Sequence, residues 1–299
     1  MPSALSTTVI AQFQEQGYHV ERGALSTEEV RVLLEALVDV YQTCKDDPRC
    51  TKDGQWLAKP VQIIEGTFSD NPHKIWLVSV LEEIRLPFLE LIYHPRVSAL
   101  IDALIGPDTS VVETVAMTKL PGIRSSFRGW HQDTEYFSNW MDERRLVTVL
   151  YYLSDMDESS GATAIVAGSH KDPLHIRTDI HPQGQKSNAA SSGFGQMQEQ
   201  ERWEDDPRRV ILEVQAGDVA FIDSNMIHRA GGNDSDTCRH NIIYTYANSE
   251  LRGVDMSKKG AVFNVFPATR NGQPARDTAD YKRLRQLFQN QETPHARKT

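Results

Sequence analysis

The stretch RGWHQDTEYF, residues 128–137, places a histidine and an aspartate two positions apart, at His131 and Asp133. An imidazole nitrogen and a carboxylate oxygen are both ligands for divalent first-row metals. On an extended strand these two side chains would point to one face, about 7 Å apart along the backbone, and could meet on one ion. The pattern therefore predicts half of a metal site, with Gln132 facing the other way.

The same spacing occurs a second time, at His170 and Asp172. This copy lies in AGSHKDPL, where Gly168 and Pro173 mark a turn, and a turn gives the two side chains no common face. Because the chain has ten histidines, the spacing is also expected to arise by chance. We therefore predict metal ligands only at the first copy and turn capping at the second.

A third ligand is available at His228, where an apolar run ends and the residues GGN follow at 231–233. The glycines and the asparagine predict a hairpin turn. If the turn is centred near residues 233–234, Arg239 lies opposite His228 with β-carbons about 5 Å apart. A guanidinium in that place suits a carboxylate, which it can hold through two parallel hydrogen bonds.

Two imidazoles and one carboxylate leave three coordination positions of a metal ion free, the arrangement associated with non-haem iron(II) oxygenases. A keto acid would fill two of these positions and dioxygen the third. Two other interpretations stay open on the residues alone. One is a jelly-roll isomerase or hydrolase that holds Zn²⁺ or Mn²⁺, which Arg239 argues against. The other is a non-catalytic jelly-roll binding protein in which His131 and His228 are core residues.

The elements that must position these residues change in character along the chain. Residues 1–109 are predicted to be a mainly helical scaffold, with Ser26 and Glu29 at the spacing of a capping box. Residues 110–250 contain short runs of β-branched and aromatic residues bounded by Gly, Asn, Asp and Ser. Many short strands without long helices between them predict an antiparallel sandwich or barrel.

Two further segments carry predictions of their own. Residues 182–205 are polar and rich in Gly, Ser and Gln, which indicates a loop and a candidate lid over one end of the barrel. Residues 276–290 are predicted to form a C-terminal surface helix. Because neither an internal repeat nor a linker is evident, we expect a single domain over residues 1–299.

The composition narrows the range of partners. A formal net charge of −9 argues against general attraction to nucleic acid or anionic lipid, so we expect a small-molecule substrate, no membrane and no obligate protein partner. No apolar run approaches the length of a membrane span, and the first residues do not resemble an export signal. Three cysteines without C-x-x-C spacing fit a reduced cytoplasm, and Cys238 should pack on the face opposite to Arg239.

Several of these stretches together resemble the phytanoyl-CoA dioxygenase (PhyH-type) branch of the iron(II)/2-oxoglutarate-dependent oxygenases. The resemblance covers roughly residues 119–247: KLPG shortly before WHQDTEYF, then SSGATAIVAGSHK, then AGDVAFIDSNMIHRAGGN, and an arginine eleven residues after the distal histidine. It implies a mainly β fold, with a double-stranded β-helix (jelly-roll) core wrapped by N-terminal helices.

The resemblance also implies roles for individual residues. Iron(II) would be held by His131, Asp133 and His228, and the distal carboxylate of the co-substrate 2-oxoglutarate by Arg239, with help from Thr163. Dioxygen would be the second co-substrate. The implied reaction oxidises an unactivated C–H bond of a small metabolite, by default through hydroxylation, and releases succinate and CO₂.

The sequence departs from the family at one position and leaves the substrate open. Some members have a serine two residues after the distal histidine, where this chain has Ala230, and no peroxisomal address is evident, so an acyl-CoA substrate is not implied. Because the aspartate is present, halogenation is disfavoured. A natural product or an amino-acid-like compound is expected instead. Its candidate contacts are Lys119, Arg128, Glu135 and Phe137, each of which could equally be a solvated or packing residue.

Overall fold

The computed structural model describes residues 4–52, 55–62, 65–123, 129–134, 146–172, 202–248 and 265–292. The helices are α1 (Ala4–Gln16), α2 (Thr27–Thr43), α3 (Leu86–Leu91), α4 (Pro95–Ile105) and α5 (Ala279–Glu292). The strands are β1 (Tyr18–Glu21), β2 (Thr51–Lys52), β3 (Gln55–Trp56), β4 (Ala58–Pro60), β5 (Ile75–Ser79), β6 (Thr109–Lys119), β7 (Leu146–Tyr152), β8 (Thr163–Val166), β9 (Arg209–Ile211), β10 (Val219–Asp223), β11 (His228–Ala230), β12 (Arg239–Asn248), β13 (Phe266–Arg270) and β14 (Gln273–Pro274).

The strands form a large antiparallel sheet that faces a smaller one. The large sheet has the order β1-β10-β7-β12-β6-β13-β14, and β5 pairs with β6 at the side, followed by β4. The small sheet has the order β11-β8-β9, and β2 and β3 pair only with each other. The fold is therefore mainly β with flanking helices, which confirms the predicted class.

The two faces of the large sheet serve different purposes, because side chains alternate along each strand. One face packs against α2, α3 and α4 in the main hydrophobic core, where Leu37, Phe88 and Val97 meet Tyr244 and Tyr246. The other face looks toward the small sheet and lines a cavity. Helices thus cover the outer side of the sheet and leave its inner side for the site.

The N-terminal region begins as the sequence predicts but contains more than helices. Ser26 and Glu29 form the predicted capping box at the start of α2, with the side chain of each bonded to the backbone of the other. The same region also contributes β1, which pairs with β10, and β5, which pairs with β6. Strands from the N-terminal region therefore add to the large sheet on both sides, β1 beside β10 and β5 beside β6.

The hairpin predicted around residues 233–234 is wrong. His228 lies opposite Ile165 of β8 in the small sheet, whereas Arg239 lies opposite Lys119 of β6 in the large sheet. The chain crosses from one sheet to the other between these residues. Buried Asn233 fixes the crossing, because its Nδ2 donates to the carbonyl oxygens of Lys119 and Thr237.

Two predicted segments near the C-terminal half have different outcomes. The helix expected over residues 276–290 is found as α5. Of the candidate lid loop, residues 182–201 lie outside the described residues, so the lid remains a prediction. Among the helices in the described part of the chain, none combines the length and the apolar character needed to cross a membrane.

Candidate active site

His131, Asp133 and His228 come together between the two sheets. Oδ1 of Asp133 lies 3.5 Å from Nε2 of His131 and 3.6 Å from Nε2 of His228. The two imidazole centroids are 4.3 Å apart. Two reciprocal backbone hydrogen bonds of 2.9 Å join the histidines, each from the N–H of one to the carbonyl of the other. A bridge between distant parts of the chain therefore sets the spacing of the two rings.

Both imidazole rings are oriented by the backbone. Nδ1 of His131 is 2.9 Å from the carbonyl oxygen of Gly129, and Nδ1 of His228 is 2.9 Å from that of Met226. A carbonyl can only accept, so each Nδ1 carries a hydrogen, and Nε2 is the ring atom that each histidine directs at Asp133. A hydrogen-bonded Nδ1 behind a coordinating Nε2 is the usual arrangement of metal-binding histidines.

Asp133 lies in a turn, so the prediction of an extended strand through this residue is wrong. The backbone N–H of Thr134 donates to the carbonyl of Ser224 at 3.0 Å. This hydrogen bond holds the residue after Asp133 against the segment between β10 and β11. Gln132 points away, as predicted, and donates to the carbonyl of Asn225 at 2.7 Å. Asp133 reaches the histidines through this turn rather than through the alternation of a strand.

The carboxylate of Asp133 is partly buried, with 14% of the side chain exposed, and it is charged. Burial alone would raise its pKa, but His228, His131 and a hydrogen bond from Thr148 together hold the pKa of Asp133 well below its usual range. The Thr148 hydroxyl donates to Oδ2 at 2.8 Å, which leaves Oδ1 directed at the two histidines. Thr148 was not singled out in the sequence, although it is the one polar residue of the apolar run LVTVL.

A cavity opens from these three residues along the inner face of the large sheet. Aliphatic and aromatic side chains make up much of its wall, together with a few polar groups. It is lined by Trp76, Leu77, Glu113, Val115, Met117, Thr118, Lys119, His131, Asp133, Thr148, Leu150, Thr163, His228, Ala230, Arg239, Asn241 and Ile243. Residues from both sheets therefore enclose one space that holds the candidate ligands.

The end of the cavity formed by the start of β12 and the end of β6 is cationic. Arg239 and Lys119 are opposite each other across these strands and are only 5% and 3% exposed. Nη1 of Arg239 donates to the carbonyl of Gly161, and Nζ of Lys119 donates to the carbonyl of Gly231. Among the residues that the structure describes, no carboxylate forms an ion pair with either cation.

Burial of the two cations is costly for the protein. It lowers the pKa of Lys119 to about 6, with nearby Arg239 and Arg229 acting in the same direction. It also lowers the pKa of Arg239 to about 10, although Tyr152 opposes that shift. A buried arginine cation and an adjacent buried amine, neither of them paired with a carboxylate of the described residues, make a receptor for an anion that is not part of the chain.

Other predicted site residues are placed as follows. Thr163 lines the cavity and accepts a hydrogen bond from Tyr152 at 3.4 Å. Lys119, predicted as a substrate contact, lies beside Arg239 at the cationic end. Ala230 lines the cavity where some family members have serine. Arg128, Glu135 and Phe137 lie outside the described residues, and their roles remain predictions.

The second His-x-Asp copy lies in a separate place, in a short turn. Nε2 of His170 is 3.2 Å from the carbonyl oxygen of Gln14, and Asp172 pairs with Arg208 at 3.2 Å. Both side chains hold the turn to neighbouring segments. Neither of them lines the cavity, whereas His131 and Asp133 do.

Fold and site together define a class of protein: a jelly-roll with two imidazoles and a carboxylate at one place in a cavity and two buried basic side chains at one end. The sequence profile of the phytanoyl-CoA dioxygenase (PhyH) family matches residues 13–241. The chain belongs to this family. The class of enzyme expected from the sequence, an iron- and 2-oxoglutarate-dependent dioxygenase, is thereby confirmed.

Individual relatives are distant in sequence. The ectoine dioxygenase of Bordetella parapertussis is 24% identical over 261 residues, which cover 83% of this chain and 77% of that protein. EctD from S. alaskensis, solved with 2-oxoglutarate and 5-hydroxyectoine, has a TM-score of 0.65 at 18% identity and covers 92% of this chain and 86% of its own.

A second solved structure has a similar fold. The epimerase SnoN, solved with Fe³⁺, alpha ketoglutarate and nogalamycin RO, has a TM-score of 0.61 at 20% identity, covering 94% of this chain and 98% of its own. The solved structures confirm the jelly-roll fold. Because the two were solved with different organic compounds, 5-hydroxyectoine and nogalamycin RO, fold similarity alone does not identify the substrate of this chain.

Proposed function

We propose that His131, Asp133 and His228 hold iron(II), and that Arg239, Thr163 and Lys119 bind 2-oxoglutarate, in an enzyme that hydroxylates a C–H bond of a small metabolite. The observation that carries this proposal is the presence of the three candidate ligands and the two buried basic side chains, Arg239 and Lys119, in one cavity. A dicarboxylate that reaches from Arg239 to the three candidate ligands would satisfy both groups. Neither a simple hydrolase nor a binding protein explains why two basic side chains are buried there.

The residues present fit an iron ion. The Nε2 atoms of two histidines and one carboxylate oxygen face a common point, and these candidate ligand atoms lie within 4.8 Å of one another. Nitrogen and oxygen donors in this number are the set that non-haem iron oxygenases use. Iron bound there would couple oxidative decarboxylation of 2-oxoglutarate by dioxygen to substrate oxidation, with one oxygen atom entering succinate and the other entering the product.

The surrounding residues would bind and orient the reactants. Thr148 restrains one oxygen of Asp133 and leaves the other for the ion, while Gly129 and Met226 fix the rings of the histidines. Arg239 would take the distal carboxylate of 2-oxoglutarate in a charge-assisted hydrogen bond. Because the guanidinium already donates to the Gly161 carbonyl, its direction is set before the co-substrate arrives.

For the substrate we propose an amino-acid-like compound or a natural product of similar size. The cavity wall supports this, because it combines the apolar Leu77, Val115 and Met117 with the polar Glu113 and Asn241. The relative named ectoine dioxygenase is consistent with a small polar substrate. We also propose a cytoplasmic location without an obligate protein partner, which the net charge of −9 and the unpaired cysteines support.

The proposal is tested by succinate formation from 2-oxoglutarate, measured with and without candidate metabolites, together with mass spectrometry for products heavier by one oxygen atom. His131→Ala and Asp133→Ala should each abolish oxygen-dependent succinate formation, because the ion loses a ligand. His170→Ala is the matched control and should keep the wild-type rate. Equal loss in all three folded variants would mean that the wrong His-x-Asp copy has been assigned.

A further inference from the structure

A second group of metal-ligating side chains lies outside the cavity. Asp70, Cys238 and His240 each direct a donor atom at the others, and these atoms all lie within 4.8 Å of one another. His240 follows Arg239 directly on β12, so its side chain is on the opposite face of the strand, toward α2. The cluster is therefore separated from the candidate iron site by the sheet itself.

His240 is held in one orientation by several contacts. Its Nδ1 is 2.9 Å from Oγ1 of Thr118, which also hydrogen-bonds with the hydroxyl of Tyr41. The imidazole stacks on the ring of Tyr41, with centroids 6.2 Å apart and planes inclined by 28°. A proton on Nδ1 that is donated to Thr118 leaves the lone pair of Nε2 for a ligand, as in histidines that coordinate metals.

The chemical state of the cluster suits coordination better than nucleophilic chemistry. Burial raises the pKa of the Cys238 thiol to about 12, and nearby Asp70 adds to this shift. A cysteine activated for attack needs a lowered pKa and a neighbouring cation. Burial also lowers the pKa of His240 to about 4, so the imidazole is neutral, which is the form that binds metals. An incoming ion would displace the thiol proton.

We propose that Asp70, Cys238 and His240 form a second metal site, with a preference for Zn²⁺. One sulfur, one nitrogen and one oxygen donor suit tetrahedral zinc, with water as the fourth ligand. The candidate iron site contains no sulfur, so the two sites differ in the metals they favour. This inference is independent of the proposed function, because it uses none of the residues assigned there to iron or 2-oxoglutarate.

An ion at this site would join two segments that are far apart in the sequence. Asp70 belongs to the loop that leads into β5, and β5 contributes Leu77 to the cavity wall. Cys238 and His240 flank Arg239 in sequence. A shared ion would therefore fix the loop against the start of β12, on the side of the sheet away from the cavity.

Cobalt(II) is the probe that separates the two sites. The full-length protein is stripped with a chelator, titrated with Co²⁺ without oxygen, and followed by absorbance. A cobalt ion bound to thiolate gives a strong near-ultraviolet charge-transfer band, whereas nitrogen and oxygen donors alone give none. We expect the band in the wild-type protein, and its absence at saturating Co²⁺ would overturn the proposal.

Variants assign the band to residues. Cys238→Ser should lose the band, while Cys44→Ser, which removes a cysteine outside the cluster, should keep it. Asp70→Asn, which removes the charge of a half-buried loop residue, should weaken Co²⁺ binding, and Thr118→Val should weaken it by about 10- to 100-fold through the orientation of His240. A band that survives in Cys238→Ser, or binding unchanged in Asp70→Asn, would contradict the assignment.

A final variant separates this proposal from the proposed function. The double variant His131→Ala and Asp133→Ala should bind one ion fewer than the wild-type protein, as measured by Zn²⁺ analysis after dialysis, and should retain the full cobalt band. Loss of the band in this variant would show that the sulfur site is not separate. Failure of the enzyme assay in the presence of a normal band would affect only the proposed function.

Discussion

At the scale of single residues, the buried pair Lys119 and Arg239 decides what the cavity can hold. Arg239 is a buried cation and Lys119 is a buried amine whose pKa is lowered to about 6, and neither forms an ion pair with the described part of the chain. Such an arrangement destabilises the folded protein and persists where a ligand supplies the opposite charge. Substitutions of these two residues should therefore change both 2-oxoglutarate binding and the free energy of unfolding.

Replacing Arg239 with alanine should weaken 2-oxoglutarate binding by about 100-fold or more, because a charge-assisted pair in a buried site is lost. Iron binding should change little, since Arg239 does not contact the triad. Anaerobic calorimetry with each ligand measures both effects. If iron is lost while 2-oxoglutarate still binds, Arg239 serves the metal site and not the co-substrate.

Replacing Lys119 with methionine should stabilise the protein without ligands by about 0.5–2 kcal/mol, because a buried amine is exchanged for an apolar chain of similar length. The pKa of Lys119 is lowered from 10.5 to about 6 in the folded protein, so between these values the unfolded chain binds more protons than the folded one. Wild-type stability therefore rises with pH across this window.

The Lys119→Met variant lacks this pH dependence. Its free energy of unfolding should therefore exceed that of the wild-type protein by more near about pH 6 than near about pH 9. Urea denaturation at both pH values measures it, and 2-oxoglutarate binding should be weaker in the variant. An advantage that grows with pH would show that the amine is not the cause.

At the scale of elements, the position of Arg239 depends on a turn that precedes β8. Gly161 has a φ of 78°, and a β-carbon there would lie 2.1 Å from the carbonyl oxygen of Gly232 and 2.6 Å from that of Gly231. Its own carbonyl accepts the hydrogen bond from Arg239. The turn and the crossing segment are thus in direct backbone contact, which only glycine permits.

Gly161→Ala should destabilise the protein and weaken 2-oxoglutarate binding. Gly122→Ala is the matched control, because Gly122 has a similar φ of 80° but an added β-carbon would meet nothing within 4 Å. Both variants carry the conformational cost, about 1–2 kcal/mol, while only the first carries the clash. Equal losses in urea denaturation would show that the close approach at Gly161 has no consequence.

The elements also explain which parts of the site the sequence could predict. Strand character and the capping box follow from local patterns, so the class of fold and the start of α2 were predicted. The pairing of His228 with β8 instead of β12 was not, because the GGN signal of a hairpin also suits a crossing between two sheets. His131 and Asp133 were singled out through their spacing. The structure brings their side chains together through a turn after Gln132, whereas the sequence analysis expected an extended strand.

At the scale of the whole molecule, the two faces of the large sheet have different environments, because helices cover one face and the other lines the cavity. Helices α2 to α4 bury the outer face, and their contact with Tyr244 and Tyr246 holds β12 from behind. The inner face can then carry polar and charged groups without loss of the core. This division lets residues that are nearly a hundred positions apart form one buried site.

The whole arrangement is tested most directly by adding Fe(II) and 2-oxoglutarate to the protein without oxygen and recording the visible spectrum. We predict a weak charge-transfer band that requires the protein, the metal and the keto acid together. Asp133→Ala and Arg239→Ala should each reduce or abolish this band at ligand concentrations that saturate the wild-type protein. No band in the folded wild-type protein, or an equal band in Asp133→Ala, would contradict the assignment of the cavity as an iron and 2-oxoglutarate site.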